Sequence, residues 1–178
     1  MRQWHMLNFI MMVLFIPLFN LHAEEGSIDS IALKADIGIG IPELMHIGGY
    51  MKRGDADIGV IVGTFPFQEA STYSVSTVFL MHLFGGLNEA KNKPWIADLG
   101  ISYVHDETAY EINKYAYVHC RWGYEYALSQ TLCVQASAGI MFEVVHEEIE
   151  KKPSPSWFDF DFEFPVLPSL RINTVYSF

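Results

Sequence analysis

Basic residues are scarce in this chain: its 178 residues carry 11 Lys and Arg against 21 Asp and Glu, a formal charge of −10. Nucleic acid is thereby excluded as a partner, because phosphate binding needs clustered Lys and Arg. Only Cys120 and Cys133 are present, and a pair in an exported chain invites a disulfide reading that the strand faces below oppose. Beyond residue 23 no apolar run approaches the ~20 residues of a spanning helix. No long stretch keeps the 3.6-residue period of an amphipathic helix either. The length and a charged fraction of 18% suit one domain.

What is there begins with Arg2, an apolar run from Phe9 to Phe19, and small Ala23 after Leu21 and His22. These are the three regions of a helical secretory signal peptide, read as residues 1–23 with cleavage after Ala23. A retained anchor is the competing reading, but the apolar core is about half the length it requires. Removing 1–23 takes away Arg2 alone among charged residues, so the remaining chain, 24–178, carries −10 − 1 = −11.

That remainder alternates with period two. In strand one Ile31, Leu33, Ala35, Ile37 and Ile39 share one face, while Ser30, Lys34, Asp36, Gly38 and Gly40 share the other. Further strands are read at about 43–52, 56–65, 73–84, 94–104, 114–127, 131–145 and 165–178, making an all-β, eight-stranded, antiparallel up-and-down barrel. Strands two and four alternate poorly and leave their faces open. A soluble barrel packs apolar residues inside, whereas a membrane barrel turns them toward lipid. Gly38, Gly40, Gly48, Gly59, Gly63, Gly100, Gly123 and Gly139 all fall on the polar face, as the narrow interior of a transmembrane barrel requires. A soluble ligand-binding barrel of the lipocalin kind is the competing architecture.

With the first strand rising from the periplasmic side, Arg53-Gly54-Asp55 and Ser129-Gln130 are tight periplasmic turns. The tripeptide at 53–55 therefore has no adhesive role despite its spelling. Longer outward connections are expected at 67–72, 105–113 and 146–164, while 85–93 is long for a periplasmic turn. Cys120 shares the face of Val118 and Trp122, and Cys133 that of Gln135 and Ser137. Opposite faces of one hairpin cannot meet the short Cβ separation of a disulfide.

The last nine residues alternate Leu170, Ile172, Tyr176 and Phe178 on one face and end on an aromatic. They resemble the C-terminal signal strand of bacterial outer-membrane proteins, and the whole of 24–178 is similar to the small eight-stranded barrels of the OmpA and OmpX type. The resemblance implies outer-membrane localisation, outer-membrane lipid and lipopolysaccharide as surroundings, a monomer, and recognition of Tyr176 and Phe178 by the barrel-assembly machinery. It does not choose a function, since fold alone does not.

The inward face carries Lys34, Asp36, Asp57, Asp98, Arg121, Glu125, Glu143 and Arg171, with His119, His46 and His82. Charges in so narrow a space must pair or be hydrated, and the expectation is a salt-bridge network filling the lumen, not a pore. The preferred reading is a non-enzymatic surface barrel with acidic and aromatic outer loops. No cofactor is expected and the extracellular partner is unspecified. The alternative is a lipid A-modifying enzyme, an acyl hydrolase or acyltransferase of the same fold. The deacylase family sets a histidine two residues before its serine, but here Gly48, Phe84, Glu107, Arg121 and Glu148 stand there. Residues 24–29 are too short for the amphipathic helix of the acyltransferases. His105-Asp106-Glu107 and His146-Glu147-Glu148, read as two loops at one mouth, suit divalent ions, with loose Mg²⁺ or Ca²⁺ bridging to lipopolysaccharide preferred over a specific site. Finally Phe158, Phe160, Phe162 and Phe164 alternate with Asp159, Asp161 and Glu163, a ladder read as an extension of strand eight and the candidate binding surface.

Overall fold

The structure is a computed structural model that describes residues 32–65, 71–152 and 166–178. The signal segment 1–23, residues 66–70 and the ladder Phe158–Phe164 lie outside the described residues. Eight strands follow one another around a closed barrel: β1 Ala32–Ile41, β2 Leu44–Arg53, β3 Ala56–Thr64, β4 Ser71–Phe84, β5 Trp95–Glu107, β6 Glu111–Ala127, β7 Leu132–Glu150 and β8 Val166–Ser177. Each pairs antiparallel with the next, and β8 returns to β1 through Lys34↔Ser177 to Ile41↔Leu170. We call the end carrying Ala32 and Ser177 the near end, and the other the far end.

Side chains of a strand point alternately to its two faces, so the period-two pattern sorts the chain into an outer and an inner surface. The outer surface is apolar: Leu33, Ile37, Ile39, Ile47, Met51 and Val60 are each more than half exposed. The inner surface is polar and buried. This is the reverse of a soluble fold. Strand β2 turns Met45, Ile47, Gly49 and Met51 outward and His46, Gly48 and Tyr50 inward. In β4 the inward set Ser74, Ser76, Val78, Leu80 and His82 is itself partly apolar. Apolar residues on both faces cancel the alternation, which is why its sequence was ambiguous.

Strands β5, β6 and β7 run on past the far rim to Glu107, Glu111 and Glu150. The long outer connection expected at 105–113 is instead strand on both sides of a short turn at 108–110, closed by Thr108 N–H to the Glu111 carbonyl at 2.9 Å. His105-Asp106-Glu107 and His146-Glu147-Glu148 accordingly lie on strands, not loops. The reason is physical: above the apolar band the outer face mixes Ile112, Val145 and Ile149 with Lys114 and Glu147, so the ladder continues while the period-two signal fades. Two irregularities adjust direction, one between His82 and Phe84 and one opposite Ala116 and Tyr117. The first lets Phe84 reach the outer face, where its ring stacks on Trp95 at 5.7 Å.

Two small apolar clusters are buried inside. Tyr50, Ile61 and Val78 fill one level. Val104, Tyr117 and Met141, with Tyr115 and Leu167 against them, form a layer toward the far rim.

Candidate functional site: a polar lumen closed at both ends

Between the barrel walls Lys34, Asp36, Asp57, Asp98, Arg121, Glu125 and Arg171 are all buried, as are His46, His82 and His119. Their order along the axis follows from the register. Arg121 stands at the centre of the far half. Its Nε donates to Asp98 Oδ1 at 2.8 Å and its Nη1 to Glu43 Oε2 at 2.8 Å, while Nη2 stands in ion-pair contact with Glu43 Oε1 at 2.6 Å. Arg171 donates to Asp98 Oδ2 at 3.2 Å and to the Tyr50 hydroxyl at 3.2 Å. Tyr50 in turn donates to Asp36 at 3.3 Å, and Asn173 donates to Asp36 at 2.9 Å and to Gln135 at 3.2 Å. Gln135 donates to Glu125 at 2.9 Å. One chain of hydrogen bonds thus crosses the lumen, and a second pair, Lys34 with Asp57 at 2.5 Å, stands beside it near the near end.

Both ends of this chain are held by connections, not strands. At the far end the β1–β2 turn folds inward: Glu43 is fully buried, its carbonyl accepts from Ser74 Oγ at 2.9 Å, and the Ile41 carbonyl accepts from Ser169 Oγ at 2.8 Å. Sequence reading placed Glu43 at the start of a strand and so missed it. Its only signal was a lone acid beside Pro42 in an otherwise apolar stretch. The turn fits because β3 presents Gly63 to it; a Cβ there would overlap the Glu43 carbonyl oxygen.

At the near end the connection 85–94, too long for a plain turn, acts as a plug. Asn88 and Asn92 donate to Glu125 Oε1 at 3.0 and 2.9 Å, and the Pro94 carbonyl accepts from the Glu125 N–H at 2.7 Å. Lys93 pairs with Asp55 and Lys52 with Asn92. The 53–55 turn is thereby tied to this plug at the near end.

Glu143 departs from the expected network. It sits beyond the Val104–Tyr117–Met141 layer, half exposed, and its carboxylate lies 3.7 Å from His146 Nδ1. The shift of register opposite Ala116 and Tyr117 begins at its level. The extended β5–β7 flap above the rim is strongly acidic. Asp106, Glu111, Glu148 and Glu150 share its inner face with His146, which stacks on Tyr115 at 4.6 Å. Its outer face carries the pairs Lys114–Glu147 at 3.3 Å and Lys151–Glu107 at 2.6 Å. The hydrogen bond from Lys151, then that of His105, holds the Glu107 carboxyl below its ordinary range. Among the described residues no group of three or more His, Cys, Asp or Glu side chains is placed to hold a metal ion.

One grouping has the outline of a nucleophile, base and acid: Ser102 Oγ lies 3.3 Å from His119 Nδ1, and His119 Nε2 lies 3.7 Å from Glu43 and 3.8 Å from Asp98. Its chemistry is blocked. A guanidinium only donates, so Arg121 Nη2, 3.0 Å from His119 Nε2, fixes that nitrogen as the acceptor. The proton is then on Nδ1, which donates to Ser102 and has no lone pair to take the hydroxyl proton.

On the outer surface Phe84, Trp95, Trp122 and Tyr124 form a contiguous aromatic group near the near end, with centroids 5.2 to 6.3 Å apart. Tyr176 and Phe178 meet edge to face at 5.1 Å at the same end, and Tyr73 and Tyr103 lie toward the far rim at 6.4 Å. Cys120 faces outward and Cys133 inward, and both are free thiols. A small maleimide is expected to label Cys120 in the folded barrel and Cys133 only after denaturation; non-reducing mass analysis showing one intramolecular disulfide would reverse the face assignment. Comparison of the chain with protein-family models, with characterised proteins and with solved structures gave no match.

Proposed function

We propose that this chain is an exported outer-membrane barrel of the OmpA and OmpX kind, a rigid, non-conducting and non-enzymatic body that displays acidic and aromatic surface to a partner or to lipopolysaccharide. The single observation that carries this reading is the inverted partition: an apolar outer wall around a buried, ion-paired lumen. A soluble protein rarely exposes a contiguous apolar patch beyond a few hundred Å², whereas lipid requires one. The band has the right height. From Tyr73 to Phe84 the strand runs about 36 Å at about 3.3 Å per residue, which a tilt of about 40° reduces to about 28 Å, near the ~25 Å of barrel bands. Aromatic side chains at the two levels fit interfacial girdles.

In this orientation the near end faces the periplasm, Tyr176 and Phe178 supply the assembly signal, and the acidic β5–β7 flap stands outside. Its carboxylates beside an anionic leaflet favour loose Mg²⁺ or Ca²⁺ bridging to lipopolysaccharide phosphates. The sequence of 158–164, phenylalanine alternating with Asp and Glu, adds the candidate contact surface. Replacing Phe158, Phe160, Phe162 and Phe164 by serine is expected to leave heat-modifiable barrel folding intact while weakening association with lipopolysaccharide vesicles; unchanged association would place the contact elsewhere. The lipid-modifying alternative is tested separately. Mass spectrometry of lipid A from cells with and without the chain is expected to show identical acyl chains, and a gained or lost chain would make this an enzyme.

A further inference from the structure

Among the described residues Gly49 is the only strand glycine that faces the outer wall: its neighbours across the sheet, Ala35 and Val60, belong to the outward sets of β1 and β3. The inward glycines each lie tight against backbone or side chain of a neighbouring strand, and close packing accounts for them. It does not account for Gly49, where an added Cβ would meet nothing nearer than the Lys34 carbonyl oxygen at 3.8 Å. What the missing side chain leaves is a hollow of about 390 Å³ in the outer wall, bordered by Leu33, Met51, Ile58, Val60 and Phe178. Ligand clefts begin at about 300 Å³, and these borders are entirely apolar. Phe178, 80% exposed, is the most exposed large apolar side chain described, so no described part of the chain covers that edge.

A cation stands at the open end. Arg53 closes β2 at the near rim, exposed and on the outward face of Gly49 and Met51. Asp55, the acid nearest to it in sequence, is taken by Lys93. Among the described residues nothing accepts from the Arg53 guanidinium or pairs with it. A free planar fork of donors at the edge of an apolar wall matches the geometry of a phosphate. A second hollow lies on the same wall around Ile37, Met45, Ile47 and Val62, toward the far end. No Lys or Arg stands on the outer face of β1–β3 there.

We propose that the outer face of β1–β3 binds one anionic phospholipid of the near-side leaflet, with an acyl chain seated in the hollow over Gly49 and the phosphate held by Arg53. The inference rests on the outer-membrane reading above and deepens it, since it makes one stretch of the wall selective among lipids. The spacing fits. Arg53 lies four residues from Gly49, about 13 Å of strand, which a tilt of about 40° reduces to about 10 Å of depth. That lies within the ~15 Å hydrocarbon half of a bilayer. A zwitterionic lipid brings its own cation to the phosphate, so a lone arginine favours the anionic headgroup.

The test uses the full chain folded into phosphatidylcholine vesicles doped with phosphatidylglycerol or phosphatidylcholine that carries a photoactivatable group midway along one acyl chain. Crosslinked residues are mapped by mass spectrometry, and heat-modifiable migration checks the folding of each variant. Crosslinks from the phosphatidylglycerol probe are expected to concentrate on Leu33, Met51, Ile58, Val60 and Phe178, and to exceed those of the phosphatidylcholine probe there about fivefold, as one arginine beside an anionic lipid surface supplies. Arg53→Gln should remove that excess. Gly49→Leu, which fills the hollow and leaves Arg53 in place, should disperse the crosslinks of both probes around the barrel. Labelling that is even around the outer wall, equal for the two probes, or unchanged in either variant overturns the proposal while the membrane reading stands, because the chain has inserted. A chain that inserts into neither vesicle overturns both. A barrel that sediments as a dimer in micelles and becomes a monomer on Gly49→Leu assigns the hollow to a second copy and overturns the lipid.

Discussion

Replacing Arg121 by methionine is expected to destabilise the barrel by about 3–5 kcal/mol, the range for breaking a buried ion pair by removing one partner. The loss exceeds that of a simple cavity, because the Asp98 and Glu43 carboxylates would remain buried without the cation they share. Asp98 would keep Arg171 at 3.2 Å. Glu43 would have no arginine left. The mechanism makes a sharper claim than the loss alone: adding Glu43→Gln to Arg121→Met should restore a large part of the stability, since a neutral amide of similar shape needs no counter-charge and Asp98 keeps Arg171. Urea unfolding in lipid vesicles reads both. A single variant that unfolds at the parental midpoint, or a double variant no better than the single, would show that these charges are not held as described.

The second large effect is expected at Gly63→Val. The cost does not come from the outer wall, where valine is a normal residue, but from the inward Cβ, which would occupy the space of the Glu43 carbonyl oxygen. Backbone is hard to displace, so the β1–β2 turn must leave the lumen and take Glu43 away from Arg121. Overpacking typically costs about 1–3 kcal/mol, and here the broken ion pair adds to it. Because the two effects share one turn, Gly63→Val and Glu43→Gln should be strongly non-additive, with a coupling of about 1 kcal/mol or more by double-mutant cycle. Additive effects would mean that the turn is not seated against Gly63.

Much of the barrel was legible in the sequence, for a reason that also explains what was not. An outward residue in the band is apolar and an inward one is glycine, polar or charged, so β1, β6 and β7 could be read by parity alone; Lys34, Asp36, Arg121 and Glu125 came with β1 and β6, and the same parity on β3, β5 and β8 gave Asp57, Asp98 and Arg171. Parity carries no information about connections. Glu43 and the Asn88–Asn92 plug hold the two ends of the network, and each acts from a turn, where the side chain is aimed by backbone geometry rather than by alternation. Glu143 shows the converse error. Its parity is inward, but it stands past the apolar layer of Val104, Tyr117 and Met141, where the inside of the barrel has ended. The flap strands were cut short because their outer face mixes Ile112, Val145 and Ile149 with Lys114 and Glu147, and a mixed face leaves no clean period-two signature to follow.

The β8–β1 seam sets an order of events. It joins Lys34 with Ser177 and Ile41 with Leu170, partners separated by nearly the whole chain, and such distant contacts are the slowest to form. Strand β8 also supplies Arg171, Asn173 and the Ser169 hydroxyl to groups waiting on β1, β5 and the β1–β2 turn. Until it docks, Asp36 lacks Asn173, Asp98 lacks one of its two arginines, and the would-be interior is one face of an open, curling sheet that must stay wet. Drying of the lumen and closure of the cylinder are therefore the same step, and it is the last one.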